Sequence, residues 1–309
     1  MNILEEKRRI IFKGILVGVG TGTLVGLACF FFVSTRAGQG MGSTVFLLIP
    51  FAAGFATALV TSPAHAASVA AVISAAVSLV ILVVFRLEGI LCALLAFPLL
   101  LAGLLFGVLF GFLFRKYILD RMHRPSAGAG LMLALIPLTI LAGQGAEQNS
   151  LQRPRYETIS SSITLQAKPE EVWRDILSID SIHAKRPWMM HVGLPIPVRC
   201  AFQRPGGVGA KRTCYFENGY IEETVVAWEP PREMRLLIDR TNMPGRHWLG
   251  FESAAYELER VERGTAITRT TTITSHLYPV WYWRYFERLG VATEHEYILS
   301  DLAARISHH

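Results

Sequence analysis

Val198–Ala227 reads VRCAFQRPGGVGAKRTCYFENGYIEETVVA, three runs that alternate apolar with polar, separated by Pro205–Gly209 and by Asn218-Gly219. Period-two alternation is the pattern of a strand with one buried face. Asn-Gly is the strongest short hairpin signal, because both central residues of a type I′ turn need positive φ. A turn centred on Asn218-Gly219 sets Phe216 against Ile221 and Cys214 against Glu223. A first turn centred on Gly207 sets Cys200 against Cys214. Val198, Phe202 and Phe216 then share a face with both cysteines, so that face is the buried one and Glu223 points into it. An acid among apolar neighbours is the first mark of a site.

The pattern extends in both directions. Strands are expected at about 197–203, 209–217, 220–229, 233–242, 248–260 and 264–276, followed by a long helix from Pro279 to about Ile306. Upstream, residues 179–195 read as irregular or briefly helical. Before them, Lys168-Pro-Glu-Glu-Val-Trp173 opens a helix: Pro169 suits its first turn, Glu170 and Glu171 complement its positive end, and Val172, Trp173, Ile176 and Leu177 form its apolar stripe. Glu157–Ala167 alternates as the first strand.

Strand, helix, six consecutive strands and a long final helix make an order that resembles the START-like superfamily, which includes polyketide cyclases, lipid-transfer domains and the birch-pollen allergen fold. The resemblance rests on Ala167–Trp173, on Val225-Val-Ala-Trp-Glu-Pro-Pro-Arg-Glu-Met-Arg235, on Tyr256-Glu-Leu-Glu-Arg-Val-Glu-Arg-Gly-Thr265 and on the final helix. It covers residues 157–306 and none of the first half. It implies an α+β helix-grip domain in which a curved antiparallel sheet wraps the C-terminal helix around an apolar cavity, and therefore a role in binding a hydrophobic small molecule or lipid.

Strand parity brings charged residues into that cup. With Tyr256 and Leu258 inside, period two turns Glu252 inward, and Ile267 and Ile273 bring Arg269 and Thr271 with them. Arg212 shares the cysteine face, and Arg240 joins if Leu236 and Ile238 are inside. Glu223, Glu252 and Arg269 are the candidate catalytic groups. Two readings stay open: a structural ion pair of Arg269 with one glutamate, or the polar end of a ligand cavity. A single bulge would turn any of these residues outward.

Trp188, Trp248, Tyr282 and Phe286 are candidates to line or gate the cavity, with core or interface packing as the plain alternative, and His247 sits in a short polar loop beside Trp248. His183, His191 and His247 lack metal-ligand spacing, and no zinc motif, nucleophile elbow or phosphate loop is present, so no cofactor is expected. Cys200 and Cys214, directly opposed, either meet disulfide geometry or stay as buried thiols.

The first half is of another kind. Up to Ala146 there are 10 Lys+Arg and 4 Asp+Glu, a balance of +6, against 20 and 20 from Glu147 onward. The second half has no basic excess to meet phosphates, which argues against a nucleic-acid partner. Gly14–Val33, Ala37–Phe85, Gly89–Phe114 and Ser126–Ala146 hold no charged residue. A bilayer crossing takes about 20 apolar residues, so four spans are expected near 11–33, 44–61, 66–85 and 89–114, and a weaker fifth at 127–146 that either crosses or re-enters. The expected division is a membrane domain over 1–146, a polar linker over 147–156 and a START-like domain over 157–309.

Lys7, Arg8, Arg9 and Lys13 before the first span, and Arg115, Lys116, Arg121 and Arg124 after the fourth, outweigh Arg36 and Arg86 in the opposite loops. That places the N-terminus in the cytoplasm of a bacterial-type inner membrane; with five spans the second domain is on the outer face, and if the fifth does not cross the same charges place it in the cytoplasm. Gly14, Gly18, Gly22 and Gly26, and Gly103, Gly107 and Gly111, form smooth helix faces suited to close helix–helix approach, self-association included. The functions that remain are a membrane-tethered binder of a lipid or apolar molecule, a cyclase- or dehydratase-like enzyme, and a ligand sensor coupled to the helices.

Overall fold

The computed structural model describes residues 3–34, 40–85, 87–121, 125–204, 206–243 and 248–307. Arg36, Arg86, Arg124, Pro205, His247 and the terminal His308-His309 lie outside them. The chain divides into two compact units, Met1–Arg153 with His276–Pro279, and Pro154–Ser275 with Val280–His309.

The first unit contains α1 (Ile3–Ser34), a π-helical turn (Thr44–Leu48) running into α2 (Ile49–Val60), α3 (Ala64–Val84), α4 (Ile90–Tyr117) and α5 (Pro125–Leu151). Ser62-Pro63 separates α2 from α3. Arg8–Ser34, Ala64–Val84 and Ile90–Arg121 are long and apolar enough to cross a bilayer. Thr44–Val60, expected as a full span, is shorter than these three. The linker expected over 147–156 is also corrected: α5 continues to Leu151 and a strand begins at Arg155, so only residues 152–154 lie between.

The glycine stripes are used inside this unit. A Cβ on Gly103 would sit 2.7 Å from the Leu47 carbonyl oxygen, and one on Gly107 would collide with that of Phe51, so α4 meets the Thr44–Val60 segment backbone to backbone. On α1, a Cβ on Gly22 would sit 2.6 Å from both Thr57 Oγ1 and Ser74 Oγ. Thr61 Oγ1 donates to the Gly14 carbonyl at 3.1 Å. Small residues let these helices approach when lipid supplies no hydrophobic drive, while Leu105, Phe106, Leu109 and Phe110 of α4 face outward.

The second unit is a seven-stranded antiparallel sheet: β1 (Arg155–Leu165), β2 (Pro197–Phe202), β3 (Lys211–Phe216), β4 (Gly219–Glu229), β5 (Glu233–Thr241), β6 (Leu249–Val261) and β7 (Gly264–Ser275), in the order β1-β7-β6-β5-β4-β3-β2. Helix α6 (Pro169–Leu177) and the short α7 (Trp188–His191) follow β1, and α8 (Val280–Ser307) closes the chain. The Lys168 N–H donates to the Glu171 carboxylate at 3.0 Å, which secures the start of α6. Val172, Trp173 and Ile176 of α6 and Leu299 and Leu302 of α8 join Val225, Met234, Leu236, Tyr256 and Ile267 of the sheet in one core. This is the helix-grip architecture, an α-helical region followed by an antiparallel sheet that grips the C-terminal helix.

Registers differ from expectation at four places. Phe216 pairs with Gly219 and Cys214 with Ile221, so the turn lies on Glu217-Asn218 rather than Asn218-Gly219. The reason is Gly219: a Cβ there would collide with the Asn242 carbonyl oxygen, so the glycine serves strand packing rather than the turn. This slip of two residues preserves facing. A β-bulge at Phe251–Ser253 makes Glu252 the extra residue and leaves it exposed. A register shift at Glu222–Glu223 sets Arg240 opposite Glu222, on the exposed side. Another at Pro197–Arg199 leaves Val198 exposed rather than in the cup.

Candidate functional site

Period two along β3, β4, β6 and β7 delivers Arg212, Glu223, Tyr256 and Arg269 to the inner face of the sheet, where α8 brings Glu294 and His295 to meet them. Arg212 and Glu223 are directly opposed across the β3–β4 ladder. Arg212 Nε donates to Glu223 Oε2 at 2.7 Å, with both side chains buried. Arg269 Nη1 donates to the Tyr256 hydroxyl oxygen at 2.7 Å, and its Nη2 reaches both Glu294 carboxylate oxygens at 2.8 and 3.0 Å. The Tyr256 ring stands between the two cations, with the Arg212 guanidinium 5.7 Å and that of Arg269 5.3 Å from its centroid.

Burial alone would lower the pKa of both guanidiniums. Glu223 and Tyr256 outweigh burial at Arg212, and Glu294 and Tyr256 do so at Arg269, so both stay charged more firmly than an ordinary arginine. Neither is fully matched. Arg212 is 2% and Arg269 9% exposed, yet Arg212 Nη1 and Arg269 Nε have no acceptor among the described residues. A buried donor without an acceptor costs about 1–3 kcal/mol, more for a charged group.

Beside this pair, Thr271 Oγ1 lies 2.8 Å from His295 Nε2, and Ser161 Oγ lies 3.1 Å from its Nδ1. Burial, reinforced by the nearby Arg269 charge, pushes His295 down to about 3, so the ring is neutral and donates from one nitrogen while accepting at the other. Near the start of β1, Glu157 accepts from Arg155 at 2.9 Å and from Arg288 at 3.2 Å, and Arg284 Nε forms an ion pair with it at 2.6 Å. Burial would raise the Glu157 carboxyl, but the Arg288 hydrogen bond and the Arg284 and Arg155 charges prevail and hold it below the usual carboxylate range.

The expected residues therefore separate. Arg212, Glu223 and Arg269 come together. Arg269 pairs with neither expected partner: Glu223 is taken by Arg212, Glu252 is exposed at its bulge, and Glu294 supplies the carboxylate instead. Arg240 is exposed. Trp188 stands exposed at the start of α7, and Trp248 is half-buried just before β6. The Tyr282 and Phe286 rings lie 5.1 Å apart on α8, twelve and eight residues before Glu294, or about 18 and 12 Å along the helix. The structure does not describe His247. Cys200 and Cys214 are joined by a disulfide across a Cα–Cα distance of 4.0 Å. No cluster of His, Cys, Asp or Glu with metal-binding geometry occurs among the described residues.

Glu294 and His295 were missed because strand parity says nothing about helix rotation. A signal was present: stepping back by three or four from Leu302 through Ile298 and Leu299 puts His295, Val291 and Glu287 on one buried stripe, with half-buried Glu294 at its edge.

The fold and site define a helix-grip domain with a charged layer between sheet and helix. No family model matches the chain, and no curated protein matches it. Among solved structures it is similar to Ara h 8.0201, with 12% identity, 50% of this chain and 100% of that one covered, and a TM-score of 0.34. It is also similar to norcoclaurine synthase from Thalictrum flavum, with 11% identity, coverage of 52% and 92%, and a TM-score of 0.34. Protein CV1439 from Chromobacterium violaceum is 15% identical, with coverage of 48% and 96% and a TM-score of 0.32.

Proposed function

We propose that this chain is a membrane-anchored helix-grip protein that binds an apolar molecule between its sheet and α8, with the polar end of the ligand turned toward Arg212, Tyr256 and Arg269. The observation that carries this reading is the pair of buried guanidinium N–H groups without acceptors. A carboxylate, carbonyl or phosphate oxygen entering between sheet and helix would complete them, while the apolar core would take the rest of the molecule. The long apolar helices of the first unit support the anchor. An apolar ligand concentrates in a bilayer, so tethering shortens its path through water.

The disulfide supports an outer-face position for the domain, since disulfides persist in oxidising compartments. An acid–base enzyme is the weaker reading: Glu223 is engaged by Arg212, and Glu252 faces solvent.

The test is equilibrium binding of radiolabelled palmitate, a carboxylate-headed chain, to the full chain in detergent. Saturable binding is expected, weakened at least tenfold by Arg269→Met and unchanged by Arg240→Met. Absence of saturable binding by the wild type, or equal binding by the Arg269 and Arg240 variants, would sink the reading.

A further inference from the structure

The first turns of α8 carry Trp281, Arg284, Tyr285 and Arg288. Spacings of three, four and seven place them on one helix face. All four stand in solvent: Trp281 is 72% and Tyr285 64% exposed, and the Arg284 and Arg288 side chains are 48% and 58% exposed. The opposite face of the same turns is buried through Trp283, Glu287, Gly290 and Val291. Large exposed aromatics beside arginines mark a surface that something covers. Tryptophan, tyrosine and arginine together suit the headgroup layer of a bilayer, where the rings have one apolar and one polar side and the guanidiniums meet phosphate.

Two observations favour a bilayer over another protein. Arg155, the first residue of β1, pairs with Ser275, the last of β7. The chain therefore enters and leaves this domain through neighbouring ladder positions, and Val280 of α8 follows directly on Pro279. Those connections lead to the unit that holds the long apolar helices. Charge is the second observation. Arg155, Arg284 and Arg288 outnumber Glu157 and Glu287 in the ion-pair group behind the stripe, and the two most exposed members are the arginines on the stripe itself.

The geometry points to the Trp281–Arg284–Tyr285–Arg288 stripe as a docking surface for a bilayer containing anionic lipid, with the indole and phenol at headgroup level and the two arginines donating to lipid phosphate. This goes beyond ligand binding in the interior, because it concerns the outer face of α8 and holds whether or not a ligand is bound.

The test uses the full chain reconstituted in phosphatidylcholine vesicles, with and without phosphatidylglycerol, and tryptophan quenching by brominated phosphatidylcholine. All six tryptophans lie at or beyond Trp173, so none from the apolar helices obscures the reading. Trp281→Phe is expected to lower the bromolipid-quenched fraction at least twofold, while Trp188→Phe, which removes another exposed tryptophan, leaves it unchanged. Arg284→Gln with Arg288→Gln is expected to abolish the extra quenching that phosphatidylglycerol produces. Quenching of Trp281 by aqueous iodide but not by bromolipid overturns the proposal. So does protection from both quenchers, which would mean that a second protein copy covers the stripe.

Discussion

Arg212 Nε stands 2.7 Å from Glu223 Oε2 across the β3–β4 ladder, an ion pair closed off from water on the inner face of the sheet. Removing one partner strands the other charge. Arg212→Met or Glu223→Leu alone is expected to destabilise the domain by about 3–5 kcal/mol, whereas the double variant should lose far less than the sum. Chemical unfolding of the full chain in detergent, run as a double-mutant cycle, checks this. Additive losses would show that the two groups act independently.

His295 gives the domain an acid sensitivity of defined sign. Its folded value of about 3 lies below the ordinary value of about 6.5. The unfolded chain therefore binds the proton first as pH falls. The stabilisation is fully present above about pH 6.5 and drains away as pH drops toward 3, with a slope of up to about 1.4 kcal/mol per pH unit. His295→Gln should flatten that slope between pH 6.5 and 4, measured by unfolding at a series of pH values.

Alkylation under denaturing conditions should label two cysteines, Cys29 and Cys92, before reduction and all four after it. Replacing Cys200 and Cys214 by serine should cost about 3 kcal/mol, the scale for a loop of this length in the chain-entropy account.

Gly107→Val tests the helix packing of the first unit. The added side chain must push α4 away from Phe51, and overpacking of this kind costs about 1–3 kcal/mol or more. Detergent-solubilised protein should show a lower unfolding midpoint, while Gly145→Ala, at a position with open space around it, should not.

Much of the helix-grip domain was legible before its coordinates, because period two and turn residues determine strand facing locally. The opposition of Cys200 and Cys214 and the inward faces of Glu223 and Arg269 all follow from parity. What parity could not supply were bulges, which depend on how a neighbouring strand must curve: Glu252 and Arg240 left the interior at such points. Nor could it supply partners across layers. Glu294 reaches Arg269 only through the rotation of α8, a property of tertiary packing. The helical region was legible as apolar stretches, but α5 outran the polar residues expected to end it.

The slip at the β3–β4 turn carries one more consequence. Moving the turn from Asn218-Gly219 to Glu217-Asn218 shifts every pairing by two and leaves each side chain on its own side. A shift of one would expose Arg212 and Cys214 and bury Lys211 and Thr213 instead. Register on this hairpin is therefore quantised in steps of two, and the buried face of β3 survives only those steps.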